Sequence, residues 1–124
     1  MTAAVHLVPH PDDTLPGALV VALSGELDYT NAERLREQVL ALLTADHQCL
    51  LLDLADLTFC DSTGIRIFLA LRTLIGERGG VISLTDLHPR LARVFQTTGL
   101  VQFFTVRPTR ADALAVLRAR PPVR

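Results

Sequence analysis

The sequence predicts an α/β fold built on a mixed β-sheet of about four to five strands. Three observations carry that prediction. Short continuous apolar runs, suited to strands buried on both faces, recur at residues 19–23, 49–54 and 81–84. Longer segments between them place apolar residues at helical spacing. The junctions carry caps and turn residues. Strands that alternate with helices pair in parallel wherever a helix makes the crossover.

Taken in order, residues 5–8 form a short apolar first strand. The turn-rich stretch 9–17 separates it from the run Leu-Val-Val-Ala-Leu at 19–23, which Gly25 closes. Thr30-Asn31-Ala32-Glu33 matches a capping box: the Thr30 hydroxyl accepts from the Glu33 amide and the Glu33 carboxylate reaches back to the Thr30 amide. Leu35, Val39, Leu42 and Leu43 then recur at helical spacing, so a helix runs from about 31 to 44. Residues 49–54 are the next buried strand. Asp61 or Ser62 opens a long apolar segment at 65–75 that ends at Gly79-Gly80, and its length favours helix over strand. Residues 81–84 form another strand. His88-Pro89 starts a helix with Leu91, Val94 and Phe95 on one side and Gly99 as its stop. Residues 103–106 form the last strand. Thr109 with Asp112 caps a final helix carrying Leu114 and Leu117, which Pro121-Pro122 terminates. The order is β, β, α, β, α, β, α, β, α.

Composition narrows the function classes. With 124 residues the chain reads as one domain, residues 1–124, since single domains commonly run ~100–150 residues. Hydrophobic residues at 49% and a mean hydropathy of +0.34 exclude a disordered chain. A formal net charge of -1 argues against a nucleic-acid clamp or a polybasic membrane binder. All 12 basic residues are arginine. Without lysine there is no Walker-type phosphate loop and no Schiff-base chemistry. The two cysteines, Cys49 and Cys60, form no C-x-x-C pair and fit a reducing compartment. The start lacks the basic and apolar regions of a signal peptide, and no apolar stretch approaches the ~18–20 residues that span a bilayer. The chain therefore reads as a cytoplasmic domain with no membrane segment.

Binding loops of α/β folds gather at the carboxyl ends of the strands. Asp28, Asp53 and the turn Asp61-Ser62-Thr63-Gly64 fall there. That turn has two compatible readings. One is a helix N-cap, in which Asp, Ser or Thr accepts from the free amides of the first turn. The other is a phosphoacceptor at Ser62, where a phosphate would meet those amides and the positive end of the helix dipole. Arg66, one turn on, could pair with a phosphate or a partner's carboxylate. Ile65 is contact surface or core. A hydrolase serine is disfavoured because Cys60 stands where the nucleophile elbow needs glycine, which leaves a Ser62–His88 dyad without its motif. His6 and His10 have metal spacing only on a helix, and Pro9 lies between them. Nothing marks Asp28, Asp53 and Asp61 as a Mg²⁺ cluster rather than loop acids. No metal and no cofactor is expected.

Four segments together resemble a known family. They are Gly25-Glu26-Leu27-Asp28 after a buried strand, Leu52-Asp53-Leu54, Phe59-x-Asp61-Ser62-Thr63-Gly64, and Leu91-x-x-Val94-Phe95-x-x-x-Gly99-Leu100. In that order and spacing, over about residues 18–117, they resemble the STAS domain of bacterial anti-sigma factor antagonists. The resemblance implies a mixed sheet with helices packed mainly on one side, a turn-rich N-terminal segment and a short Arg/Pro tail outside the core. It implies a non-enzymatic switch. The antagonist binds an anti-sigma factor serine kinase of the histidine-kinase-like ATPase type and frees a sigma factor. It is then phosphorylated on the serine after the aspartate, here Ser62, and is reset by a serine phosphatase. Asp28 and Asp53 match family positions near the docking face, with Asp61, Thr63, Gly64, Ile65 and Arg66 around the serine. A monomer or weak dimer goes with that role. The alternative within the family is an unphosphorylated scaffold module.

Overall fold

Chain order and sheet order coincide in this protein. A computed structural model describes residues 4–10 and 17–119. The elements are β1 (Val5–His10), β2 (Ala18–Leu27), α1 (Ala32–Leu42), β3 (Cys49–Cys60), α2 (Ser62–Glu77), β4 (Val81–Thr85), α3 (Pro89–Thr97), a 3-10 turn (Leu100–Gln102), β5 (Thr105–Arg107) and α4 (Arg110–Arg118). The sheet runs β1-β2-β3-β4-β5, with β1 antiparallel to β2 and every other pair parallel. Crossovers of one hand that all step in the same direction leave their helices on one face. α1, α2 and α3 are those crossovers. α4 follows the last strand, makes no crossover, and packs on the opposite face.

The side chains follow that division. Val21, Leu23, Leu50, Leu52, Leu54 and Leu84 meet Leu35 and Val39 of α1, Phe68, Leu71 and Ile75 of α2, and Leu91 and Phe95 of α3. Val20 and Leu51 point the other way, onto Ala113, Leu114 and Leu117 of α4. Successive strand residues face opposite sides, so a strand covered on both faces reads as one unbroken apolar run. Among the described residues no helix is long and apolar enough to cross a membrane.

Several boundaries differ from the sequence expectation. β2 does not close at Gly25 and β3 does not stop at residue 54. Gly25 sits at φ +97 inside the strand, where a Cβ would lie 2.3 Å from the Ala4 carbonyl oxygen, so glycine is required there. It lies at a register shift, after which Glu26 pairs with Phe59 and Leu27 with Cys60. The two strands continue past the helix-covered centre, where Ala55, Asp56, Thr58 and Phe59 are exposed. Apolar continuity ends there, although the pairing does not. β1 runs on through Pro9, which an edge strand tolerates. Phe103 and Phe104 precede β5 rather than open it. Phe104 is buried with its ring centroid 5.6 Å from that of Phe95. The helix expected at about 31–44 ends sooner, because Leu43 is extended. Gly99 takes the left-handed conformation just past α3, as its role as a stop requires. Residues 11–16 of the turn-rich stretch, with Arg120, Pro121, Pro122 and Arg124, lie outside the described residues.

Asp53 is a further correction. It is not at the end of its strand but inside β3, level with Thr85 of β4. Its side chain is nearly buried and accepts two hydrogen bonds from the Arg110 guanidinium, at 3.0 Å from Nε and 2.6 Å from Nη2. The pair ties the first turn of α4 to the sheet, beside the Thr109 cap that accepts from the Asp112 amide. Arg110 remains a third exposed, so solvent screening discounts the pair to about 1 kcal/mol. Arg110→Ala is expected to lower the melting temperature by about 4 °C and to speed hydrogen exchange selectively in α4. Unchanged exchange there would show that the apolar contacts of α4 hold it alone.

Candidate functional site

The site lies where β2 and β3 end side by side and hand over to α1 and α2. The Asp61 amide donates to the Leu27 carbonyl at 3.1 Å, closing the strand pair. Asp61 is the N-cap of α2: its Oδ1 accepts from the Gly64 amide at 2.9 Å. Its Oδ2 accepts from the Tyr29 amide at 3.1 Å, so one carboxylate holds both the helix and the neighbouring loop. The choice between Asp61 and Ser62 as cap is thereby settled, and the Ser62 side chain has no capping duty.

The capping box expected at Thr30 and Glu33 does not form. The Asp28 carboxylate takes both Thr30 donors instead, and α1 is entered at Asn31 rather than Thr30. Asp28 Oδ1 takes the Thr30 amide at 2.8 Å and the Thr30 hydroxyl at 2.5 Å. Glu33 instead pairs with Arg36 at 2.6 Å. Asn31 occupies the N-cap position of α1 without capping it. Its Oδ1 accepts from the Asp28 amide at 3.0 Å and its Nδ2 donates to the Glu26 carbonyl at 2.9 Å. Asn31 was not singled out by sequence reasoning. A side chain that bonds backward along the chain leaves no mark on helical spacing.

Ser62 is therefore exposed at the first position of α2, and no described residue holds its hydroxyl. Arg66 follows at i+4, exposed on the same helix face and without an ion-pair partner among the described residues. Thr63 is half-buried. Ile65 is half-buried as well and packs on the main core. Gly64 is buried against β2 and β3. Two exposed aromatics flank the cluster, Tyr29 at 76% and Phe59 at 52% exposure. Tyr29 was missed, although a lone tyrosine directly after Asp28 was there to be read. The structure thus brings together Asp28, Asp61, Ser62, Thr63, Gly64, Ile65 and Arg66. Asp53 does not join them: strand residues 54–60 separate it from Asp61, roughly 25 Å of extended chain. Among the described residues no three His, Cys, Asp or Glu side chains are grouped to hold a metal ion. His88 is the residue before α3 and makes no hydrogen bond to Ser62.

Cys60, next to the cap, has its thiol pushed up from 9.0 to about 12, first by burial and then by the Asp61 charge. The folded protein keeps the thiol protonated through neutral pH, so Cys60 is expected to resist iodoacetamide at pH 8 until the chain unfolds. Below about 9 both states hold the proton and nothing changes. Between about 9 and 12 only the unfolded state releases it, so stability falls as pH rises. A melting temperature flat across pH 9–11 would contradict this.

Comparison with known proteins fits this arrangement. Residues 11–113 match the model of the STAS domain. The chain is 32% identical to an anti-sigma F factor antagonist of Paenibacillus polymyxa over 103 residues, 82% of this chain and 87% of that one. It is 35% identical to an anti-sigma-B factor antagonist of Bacillus subtilis over 80 residues, 64% of this chain and 72% of that one. The crystal structure of an anti-sigma factor antagonist from Mycobacterium paratuberculosis superposes with a TM-score of 0.80 at 29% identity, covering 93% and 95% of the two chains. The five-stranded mixed sheet and its four helices define an α/β domain among the described residues. The chain belongs to the STAS domain family, and these relatives carry the name of anti-sigma factor antagonists.

Proposed function

We propose that this chain is an anti-sigma factor antagonist switched by phosphorylation of Ser62. In the unphosphorylated form it docks on an anti-sigma factor serine kinase of the histidine-kinase-like ATPase type and displaces a sigma factor. The docking face is the Asp28–Asn31 loop, Tyr29 and the first turn of α2 from Asp61 to Arg66. The Ser62 oxygen then attacks the γ-phosphorus of the kinase's ATP, its proton passes to a base of the kinase, and ADP leaves. The phosphoserine ends the association, and a serine phosphatase restores the hydroxyl.

The observation that carries this reading is the freedom of Ser62. Asp61 performs the capping, so the serine is exposed, rigidly placed by α2 and bonded to nothing described. A hydroxyl engaged as a cap would have to break that bond before it could attack. Once formed, the phosphate sits at a helix N-terminus, where the fold tolerates it. Within the docked face, however, it stands beside the Asp61 carboxylate and meets the partner as an added charge of about -1.5 to -2. The test is a lysate pull-down with Ser62→Ala and Ser62→Asp baits. Recovery of an ATP-binding anti-sigma factor by the alanine form only is the expected result. Identical partner sets would overturn the reading and leave an unswitched scaffold.

A further inference from the structure

β3 outruns β4. Its pairing with β4 ends at Asp53 and Thr85, yet the strand continues to Cys60. Beyond Asp53, no described strand lies on that edge. α3 stands there instead, and a helix of ~10 Å diameter cannot follow a strand edge as closely as a strand at ~4.8 Å would. The mismatch leaves a groove of about 130 Å³ between the end of β3 and α3, with Phe59 and Cys60 on one wall and Leu91, Val94 and Arg90 on the other. Its size suits one branched aliphatic side chain.

Two features mark the groove as more than a packing gap. Phe59 and Val94, both apolar, remain substantially exposed at its mouth. Arg90 is its fully charged group and is poorly placed for stability. It is the second residue of α3, at the positive end of the helix dipole, where a cation costs roughly 0.3–1 kcal/mol. The first turn of α3 holds no acid, and no described residue forms an ion pair with Arg90. A residue that breaks a local rule without compensation is expected where function, not folding, selects it. The groove also borders the proposed docking face, since Cys60 in its wall directly precedes the Asp61 cap.

We propose that this groove receives an apolar side chain from a segment of the anti-sigma partner, with an adjacent carboxylate of that segment bound by Arg90. The inference rests on the function proposed above and names the chemistry of the partner: an acidic segment with an aliphatic anchor. The test uses the full chain carrying Ser62→Ala and the anti-sigma factor it recovers. Arg90→Glu and Val94→Glu are each expected to weaken that complex about tenfold or more. Arg93→Glu, on the same helix but outside the groove lining, is expected to stay within about twofold. Arg90→Glu is expected to leave the melting temperature unchanged or higher, which separates a binding effect from unfolding. If both groove variants bind as the parent does while Ser62→Asp still fails, the groove proposal falls and the switch stands. If the parent recovers no anti-sigma factor at all, the switch reading falls and takes the groove's occupant with it.

Discussion

Ser62→Asp is expected to weaken binding of the anti-sigma partner by about 100-fold or more while leaving the fold intact. Two terms of opposite consequence act on the same atom. In the free protein a carboxylate at the first position of α2 faces the positive end of the helix dipole, a favourable placement of roughly 0.3–1 kcal/mol. In the docked complex the same charge loses its water beside Asp61, and an uncompensated charge at an interface costs several kcal/mol. About 2.8 kcal/mol already amounts to a 100-fold change. Calorimetric titration of the Ser62→Asp and Ser62→Ala chains against the recovered partner, with thermal melts of both, measures the two terms separately. Equal affinities would remove the switch. A large fall in melting temperature would mean that Ser62 is structural after all.

Gly64→Ala is expected to be the most damaging small change in the site. Alanine normally stabilises a helix interior by up to about 1 kcal/mol relative to glycine. At position 64, however, the added Cβ would lie 2.7 Å from Cys60 Sγ and 2.9 Å from both Cγ and Cδ2 of Leu27. Leu27 is fully buried, so it cannot swing aside. Overpacking of this kind costs about 1–3 kcal/mol. Lifting the first turn of α2 would relieve the strain and carry Ser62 away from the Asp28–Asn31 loop. Gly76, on the same helix, is the internal control, because nothing lies within 4 Å of its added Cβ. Gly76→Ala is expected to raise the melting temperature by about 2–4 °C and Gly64→Ala to lower it by about 4–10 °C. A Gly64→Ala chain that melts at or above the parent would show that α2 has room at its N-terminus.

The number and order of elements were legible from residue pattern alone, because hydrophobic periodicity and caps are local signals. The strands at 19–23, 49–54 and 81–84 stood out since their centres are covered on both faces, by α1–α3 on one side and α4 on the other. Asp61, Ser62, Thr63 and Gly64 stood out as a helix start for the same reason: a cap acts within one turn. The resemblance to the STAS family added the sheet's helix-covered side and the candidate role of Ser62.

Tertiary structure decided what depends on neighbours distant in sequence. The continuation of β2 and β3 past Gly25 and Leu54 rests on their pairing with each other, which no apolar run records. The capping box at Thr30 is the exception, a local effect: Asp28, two residues back, holds both Thr30 donors, and α1 is entered at Asn31. Asp53 turned from a strand-end acid into the partner of Arg110, 57 residues away. The freedom of the Ser62 hydroxyl likewise follows from how Asp61 spends its two carboxylate oxygens, one on Gly64 and one on Tyr29 across the loop. Local chemistry thus named the residues that can act. Only long-range pairing fixed which of them are occupied holding the fold and which are left free to meet a partner.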